Sequence, residues 1–455
     1  MKASGRTLKT AFVVVSFGGQ GREVRLALGS ASGQTVSVSE SGSASHGRAL
    51  TVVTTLFFMW GFLTALNDTL IPHLKQIFDL NYTKSQLINL AFFGSYFIFA
   101  QPAAKLIEAI GYKRTMIVGL AVMAVGVFLF LPAASVPSYP FFLAAQIILA
   151  AGVTTLQVAA NPYVTVLGPA RTASSRLNLT QAFNSLGTTI APYFGSVLIL
   201  AGAAALATMS RQQQAASVKG PYAGIGVALV ILAVAIALIH LPRIQTTQEF
   251  RTTGNAENPL GSIWEHHHVW LGAIAIFLYV GAEVSIGSFA VNYMGSHDLG
   301  SIPAATASKL VALYWGGAMV GRFIGSWVLQ RVRPGAAVGA CAIATSLLVV
   351  ISMLTNGQTA VVSILLVGLF NSIMFPSIFT LGTARMGPLT GKASGLLVQA
   401  IVGGAILPVL QGMIADRIGI HHCFILPLLA YLFVIYYGFR GSRPTGASMD
   451  LVATN

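Results

Sequence analysis

Residues 115–133 read TMIVGLAVMAVGVFLFLPA, nineteen positions without a charge. A bilayer core about 30 Å thick is crossed by about 20 helical residues, so this stretch has the length and chemistry of a membrane span. Similar apolar runs fall at 50–73, 84–104, 113–133, 139–168, 175–204 and 220–242, then at 269–294, 304–330, 335–354, 359–384, 391–415 and 421–440. A polar stretch with Arg243, Arg251, Glu257 and His266-His267-His268 separates the two sets. Only 8% of the 455 residues are charged, against about 25% in a soluble domain. Within lipid every backbone amide must be satisfied by the chain itself, which leaves helices for spans of this kind. The expectation is an all-α polytopic membrane protein with twelve transmembrane helices in two six-helix bundles.

The boundaries follow from the same runs. They give a disordered N-terminal tail over 1–49, a bundle over 50–242, a linker over 243–268, a second bundle over 269–440 and a tail over 441–455. Landmark residues recur at a nearly constant offset. Asp68 and Glu283 are 215 apart, Pro162 and Pro376 214, and Gln181-Ala182 and Gln399-Ala400 218. A duplicated six-helix unit leaves this trace, and paired repeats are a common transporter build.

The net charge of +14 does not point to nucleic acid. Such a binder gathers its basic residues on one face, whereas here they sit at the ends of apolar runs. With the N-terminus inside, the cytoplasmic segments hold 19 Lys and Arg and the outer loops 6, which places both termini in the cytoplasm. Cys341 and Cys423 lie in separate spans without a C-x-x-C, and the three histidines lack a second ligand cluster, so neither a disulfide nor a metal is expected.

Of the twelve acids only Asp68 and Glu283 lie deep in apolar sequence. A charge at mid-membrane costs about 2.5–3.5 kcal/mol on the milder scales and marks ion or substrate paths. Both are candidates for proton coupling; a structural carboxyl bonded between helices is the other reading. Thr154, Gln157 and Asn161 share one helix face, as do Asn178, Gln181, Asn184 and Thr188. Amides donate and accept at once, which suits hydroxyl-rich uncharged ligands such as sugars, and interhelical bonding is their other use. Asn67, beside Asp68, joins this substrate-binding set, and Phe375, before Pro376, can stack on the apolar face of a sugar ring. Arg322, beside Gly321, is read as the lone cation deep in a span, a gate residue paired with helix carbonyls or an acid. No H-E-x-x-H or G-x-S-x-G occurs, so an enzyme is not expected.

Three blocks carry a resemblance. WGFLTALNDTLIPH (60–73), LQVAANPYVTVLGP (156–169) and RLNLTQAFNSLG (176–187) resemble the first, fourth and fifth spans of the fucose–glucose–galactose permeases of the major facilitator superfamily. The similarity runs from about residue 50 to 440 and is nearer to bacterial glucose/galactose transporters than to fucose permeases proper. It implies the major facilitator fold of two six-helix bundles and uptake of a neutral hexose by proton symport with alternating access. The hexose would be of glucose/galactose type, with fucose a further candidate. The implied setting is a monomer in the cell membrane, the inner membrane in a Gram-negative bacterium, whose partners are the bilayer and a monosaccharide. No cofactor is implied beyond the coupling H+. Sodium coupling and uncoupled facilitation are the alternatives.

Asp68 matches the family's first-span aspartate, and Gln181 and Asn184 match the fifth-span amides of its sugar cavity. Gln157 stands where the fucose permeases carry a proton-linked glutamate, and Glu283 is expected to supply the second carboxyl instead. The superfamily's G-x-x-x-D-x-x-G-x-R loop survives in altered form as Glu108, Gly111, Lys113 and Arg114, with Ala104 in place of its first glycine. Those residues are read as a gate.

Overall fold

The computed structural model describes residues 41–77, 82–135, 138–199, 219–244, 261–299, 301–444 and 453–454. Helices cover each of the twelve apolar stretches. The first half of the chain supplies α1 (Ser41–Ile77), α2 (Tyr82–Ser135), α3 (Tyr139–Val166), α4 (Ala173–Ile199) and α5 (Lys219–Leu238). The second half supplies α6 (His267–Met294), α7 (Ala304–Val328), α8 (Pro334–Leu354), α9 (Gly357–Asn371), α10 (Met374–Gly382), α11 (Thr390–Gln399), α12 (Gly403–Ile418) and α13 (Ile425–Tyr436). Arg243–Ile244 also pairs antiparallel with Ala453–Thr454, a two-residue ladder. The helical backbone of α1 begins at Ser41 rather than near residue 50, because hydropathy marks where a helix is apolar and not where it starts.

Eight described stretches are long and apolar enough to cross a membrane. One of them, Leu90–Ala133, holds two limbs that meet at Gly111, whose φ of 79° belongs to the left-handed region that glycine enters freely. The glycine of the G-Y-K-R turn is therefore a requirement of the backbone. Ile425–Gly441 is apolar but shorter. Helices α4 and α7 have the length, with 27 and 25 residues; Asn178, Gln181 and Asn184 interrupt the apolar run of one and Arg322 that of the other. Span 359–384 is broken after Asn371, and 391–415 passes through a 3-10 turn at Ala400–Val402.

Side-chain contacts sort the connections to two ends. At one end the Tyr163 hydroxyl donates to the Pro242 carbonyl (2.9 Å), Lys113 Nζ to that of Ala237 (2.8 Å) and the Tyr437 hydroxyl to that of His268 (3.0 Å), while His268 Nε2 lies 3.0 Å from the Ala384 carbonyl. This is the Gly111 end. At the other, the Tyr293 hydroxyl donates to the Ser352 carbonyl (2.8 Å) and its ring packs on Phe424. Ser262 and Glu265 form a capping box that leads the chain into α6 at the Gly111 end.

Within the first half α1 packs on α4, and α2 on α3 and α5; within the second, α6 packs on α12, α13 and α10, and α9 on α7 and α8. Between halves α4 lies on α7 and α10, while α11 lies on α2 and α3. The fifth span of each half thus rests on the second span of the other. Large apolar side chains such as Leu238, Ile231 and Leu354 stay exposed, which suits a surface whose solvent is lipid.

Candidate functional site

Both amide rows face inward. Asn161 is fully buried, and the Gln181 amide donates to its Oδ1 at 3.4 Å. The Gln157 amide donates to the Tyr96 hydroxyl of α2 at 2.6 Å. Asn178 Nδ2 donates to the Ser174 carbonyl (3.0 Å) and to Ser377 Oγ on α10 (3.3 Å). Asn161 Nδ2 and Asn178 Oδ1 have no protein partner. Such buried groups normally find one, so these are places where a polar ligand gains a bond the protein leaves open. Asn184 turns elsewhere: its Nδ2 donates to the Phe57 carbonyl of α1 at 2.9 Å.

A second polar cluster lies in the other half. Glu283 on α6 is buried, with Oε1 unpartnered. Tyr279 stands one turn earlier on the same helix, and Arg322 bonds the Ser372 carbonyl, next in the chain to Asn371. The Tyr314 hydroxyl donates to the Glu283 carbonyl at 3.3 Å. Asn371 donates to the hydroxyls of Tyr314 (3.0 Å) and Tyr431 (2.9 Å), and its own carbonyl accepts from the Tyr279 hydroxyl at 2.9 Å. Asn67 and Asp68 lie on α1 by backbone, but their side chains fall outside the described residues. Phe375 is partly buried and packs against Phe379, its ring 6.2 Å away.

The halves meet along a seam of hydrogen bonds, most of them between uncharged groups. Proline has no N–H, so Pro162 leaves the Val158 carbonyl without its helical donor. Ser394 Oγ of α11 takes that carbonyl at 2.7 Å. Pro376 frees the Ser372 carbonyl in the same way, and Arg322 Nε takes it at 3.2 Å. Arg322 Nη1 then donates across the seam to Ser185 Oγ. Nearer the Gly111 end Ser175 Oγ donates to the Ser326 carbonyl and Ser174 Oγ meets Thr380 Oγ1, both at 2.5 Å. Gln101 of α2 donates to Gln399 Oε1 at 3.1 Å, and Gln399 donates back to the Phe97 carbonyl at 3.0 Å.

The expected gate residues divide. Glu108 pairs across the seam with Lys392 of α11 at 3.8 Å; Lys392 is half exposed, and such a pair contributes at most about 1 kcal/mol. Lys113 binds the end of α5, and Arg114 is exposed. A cavity of about 330 Å³ opens between the halves at this end, lined by Arg171, Ser174, Arg385 and Thr390 among others.

Sequence reasoning passed over Tyr96, Asn371, Ser394, Lys392 and Arg176, and weighed Tyr314 only as an aromatic that stacks on a sugar or anchors at the membrane interface. Arg176 spends its guanidinium on the end of α3, donating to the carbonyls of Val164 (3.3 Å), Pro169 (2.9 Å), Thr165 (2.5 Å) and Gly168 (3.3 Å) and to Thr172 Oγ1 (2.6 Å). The 214–218 offsets would have found Tyr314 and Asn371, since they lie 218 and 214 residues beyond Tyr96 and Gln157.

Membrane-length helices in two repeated sets, with uncharged polar groups gathered where the sets meet, define a polytopic membrane transporter. The chain belongs to the Major Facilitator Superfamily, whose sequence pattern matches residues 49–401. It is 50% identical over 403 residues to a glucose/galactose transporter of Brucella abortus, covering 89% of this chain and 96% of that protein. It is 35% identical over 409 residues to the L-fucose-proton symporter of Escherichia coli, covering 86% and 92%. The crystal structure of the E. coli symporter FucP in the outward conformation superposes with a TM-score of 0.78 at 31% identity, covering 88% of this chain and all of that one.

Proposed function

We propose that the protein imports a neutral hexose of glucose/galactose type by proton symport, the two six-helix bundles (50–242 and 269–440, joined by 243–268) rocking about a sugar held between them. The observation that carries this reading is the buried, uncharged row of Gln157, Asn161 and Gln181, with an unspent donor on Asn161. An ionic substrate would need a buried counter-charge there, whereas amides match hydroxyls in both directions. The Brucella relative supports the sugar class, and the E. coli symporter supports the proton. Asn67, Asn184 and Phe375 complete the sugar site in this reading. Asp68 and Glu283 carry the proton; Glu108, Lys113, Arg114 and Arg322 belong to the gate.

Both termini are taken as cytoplasmic, which makes the Gly111 end, where seam bonds join the halves, the inner one. The chain works as a monomer in the cell membrane. A proton crossing about 100 mV and one pH unit carries about 3.7 kcal/mol, enough to sustain a several-hundredfold sugar gradient.

The test is uptake into proteoliposomes under imposed proton or sodium gradients across a panel of hexoses. Asp68→Asn should abolish accumulation while counterflow persists in part. Accumulation by that variant at the unaltered level, or accumulation driven by sodium alone, would overturn the coupling.

A further inference from the structure

The Tyr96–Gln157 bond of the first half has a counterpart in the second. Tyr314 lies 218 residues after Tyr96 and Asn371 lies 214 after Gln157, the offsets that relate the two halves. Their contact is the same one: an amide on the fourth span donates to a tyrosine hydroxyl on the second, at 2.6 Å in one half and 3.0 Å in the other. Asp68 and Glu283 occupy the matching place on the first span of each half. Each half therefore carries a carboxyl, a tyrosine and an amide at equivalent positions.

The second set is closely sealed. Tyr279, Tyr314, Tyr431 and Asn371 are at most 1% exposed, and Glu283 9%. Its hydrogen bonds leave an imbalance. Both Asn371 amide hydrogens and the Tyr279 and Tyr314 hydroxyls are committed, which leaves the single Tyr431 hydroxyl hydrogen for two unpartnered acceptors, Glu283 Oε1 and Asn371 Oδ1. Two acceptors facing a shortage of donors in a dry cluster favour a carboxyl that brings its own hydrogen, since an unpaired buried charge costs far more than a neutral group. The groups around it are otherwise few. Tyr314 and Arg322 come from α7, Tyr431 from α13 and Tyr279 from α6 itself. Helices α9 and α10 carry no titratable residue, Asp416 and Arg417 of α12 are exposed at its far end, and Lys392 of α11 is turned to Glu108.

We infer that Asn371 and Tyr314 are positioning residues for proton transfer at Glu283: they fix its backbone and surroundings so that the carboxyl takes up and releases a proton as Arg322 moves between the cluster and Ser185 across the seam. This rests on the reading of Glu283 as a coupling carboxyl, and it adds that the amide–tyrosine pair tunes that carboxyl.

The experiment is sugar uptake against pH in proteoliposomes for Glu283→Gln, Tyr314→Phe and Asn371→Ser, each first checked for a monodisperse elution profile and for counterflow. Tyr314→Phe deletes one oxygen and keeps the ring, so it tests the pair without opening a large cavity. Glu283→Gln should flatten the profile. Tyr314→Phe and Asn371→Ser should each move its midpoint by about half a pH unit or more, an approximately threefold change in proton affinity, with counterflow within twofold of the unaltered protein. A flattened Glu283→Gln profile beside unmoved Tyr314→Phe and Asn371→Ser profiles overturns the positioning role alone. An unaltered Glu283→Gln profile overturns both it and the coupling carboxyl on which it rests.

Discussion

Ser394 of α11 donates its hydroxyl to the Val158 carbonyl of α3 at 2.7 Å, joining the two halves of the chain through an atom that Pro162 has released from its own helix. A proline that weakens one helix thereby supplies the acceptor that holds it to another. Most of the seam is of this kind: hydroxyl to carbonyl, amide to amide, with Glu108–Lys392 at the exposed rim. Neutral hydrogen bonds exchange for water at a net cost of about 0.5–1.5 kcal/mol each, so a seam made of them can open repeatedly.

Ser394→Ala should loosen the Gly111 end. It removes one bond and strands a buried carbonyl, a loss of about 1–3 kcal/mol confined to the state in which that end is closed. The closed-to-open ratio should fall by roughly tenfold, since about 1.4 kcal/mol is a factor of ten. Spin-label distances between α3 and α11 at that end would lengthen. An unchanged distance distribution would show that the Ser394 bond has no part in the closure.

Gln157→Ala and Gln181→Ala should weaken sugar binding without abolishing folding. Each loses one bond to a buried hydroxyl, which predicts about a threefold to tenfold rise in apparent dissociation constant. Counterflow titrations against glucose and galactose measure it. If neither variant changes affinity, the sugar lies elsewhere along the seam.

The spans were legible because apolarity over about 20 residues leaves a backbone in lipid few choices. What hydropathy could not show was where helices break. The interruption after Asn371 and the 3-10 turn at Ala400–Val402 lie inside uniformly apolar runs. The amide rows could be read from helical spacing, but spacing alone does not distinguish Gln181, which meets Asn161, from Asn184, which meets Phe57. Lys392 and Ser394 were invisible because a lone lysine or serine near a span end has no pattern; only the packing of α11 on α2 and α3 gives them partners. Tyr314 and Asn371 were hidden for another reason. Each looks like an interface aromatic or a stray amide until the repeat is laid over Tyr96 and Gln157.

Arg176→Lys should destabilise the protein although the charge is kept. The planar guanidinium reaches four carbonyls and a hydroxyl at the end of α3, and an ammonium with three donors cannot span that set. Loss of even one charged bond to a buried carbonyl costs about 1.5–3 kcal/mol. Thermal unfolding in detergent should show a clearly lowered midpoint, while the sugar affinity of the folded fraction stays within about twofold. A midpoint equal to that of the unaltered protein would show that the α3–α4 turn holds without the fork.

Gly61→Ala decides what Asn184 is for. Helix α1 passes so close to α4 that a Cβ at Gly61 would clash first with the Asn184 backbone carbonyl oxygen, and would come within 2.6 Å of Nδ2 and 2.9 Å of Cγ of the same residue. The methyl group must therefore part the two helices as well as crowd the amide that now donates to the Phe57 carbonyl. If Asn184 also presents its amide to the sugar, Gly61→Ala and Asn184→Ala should each raise the apparent dissociation constant by about threefold or more. The backbone clash of Gly61→Ala persists when Asn184 is alanine, so the double variant loses only the part of that effect that passes through the amide. If Asn184 serves only to join α1 to α4, both single variants should lower the unfolding midpoint and leave affinity alone. Measuring affinity and midpoint on the same four proteins separates the two roles, and an unchanged affinity in both single variants removes Asn184 from the sugar site.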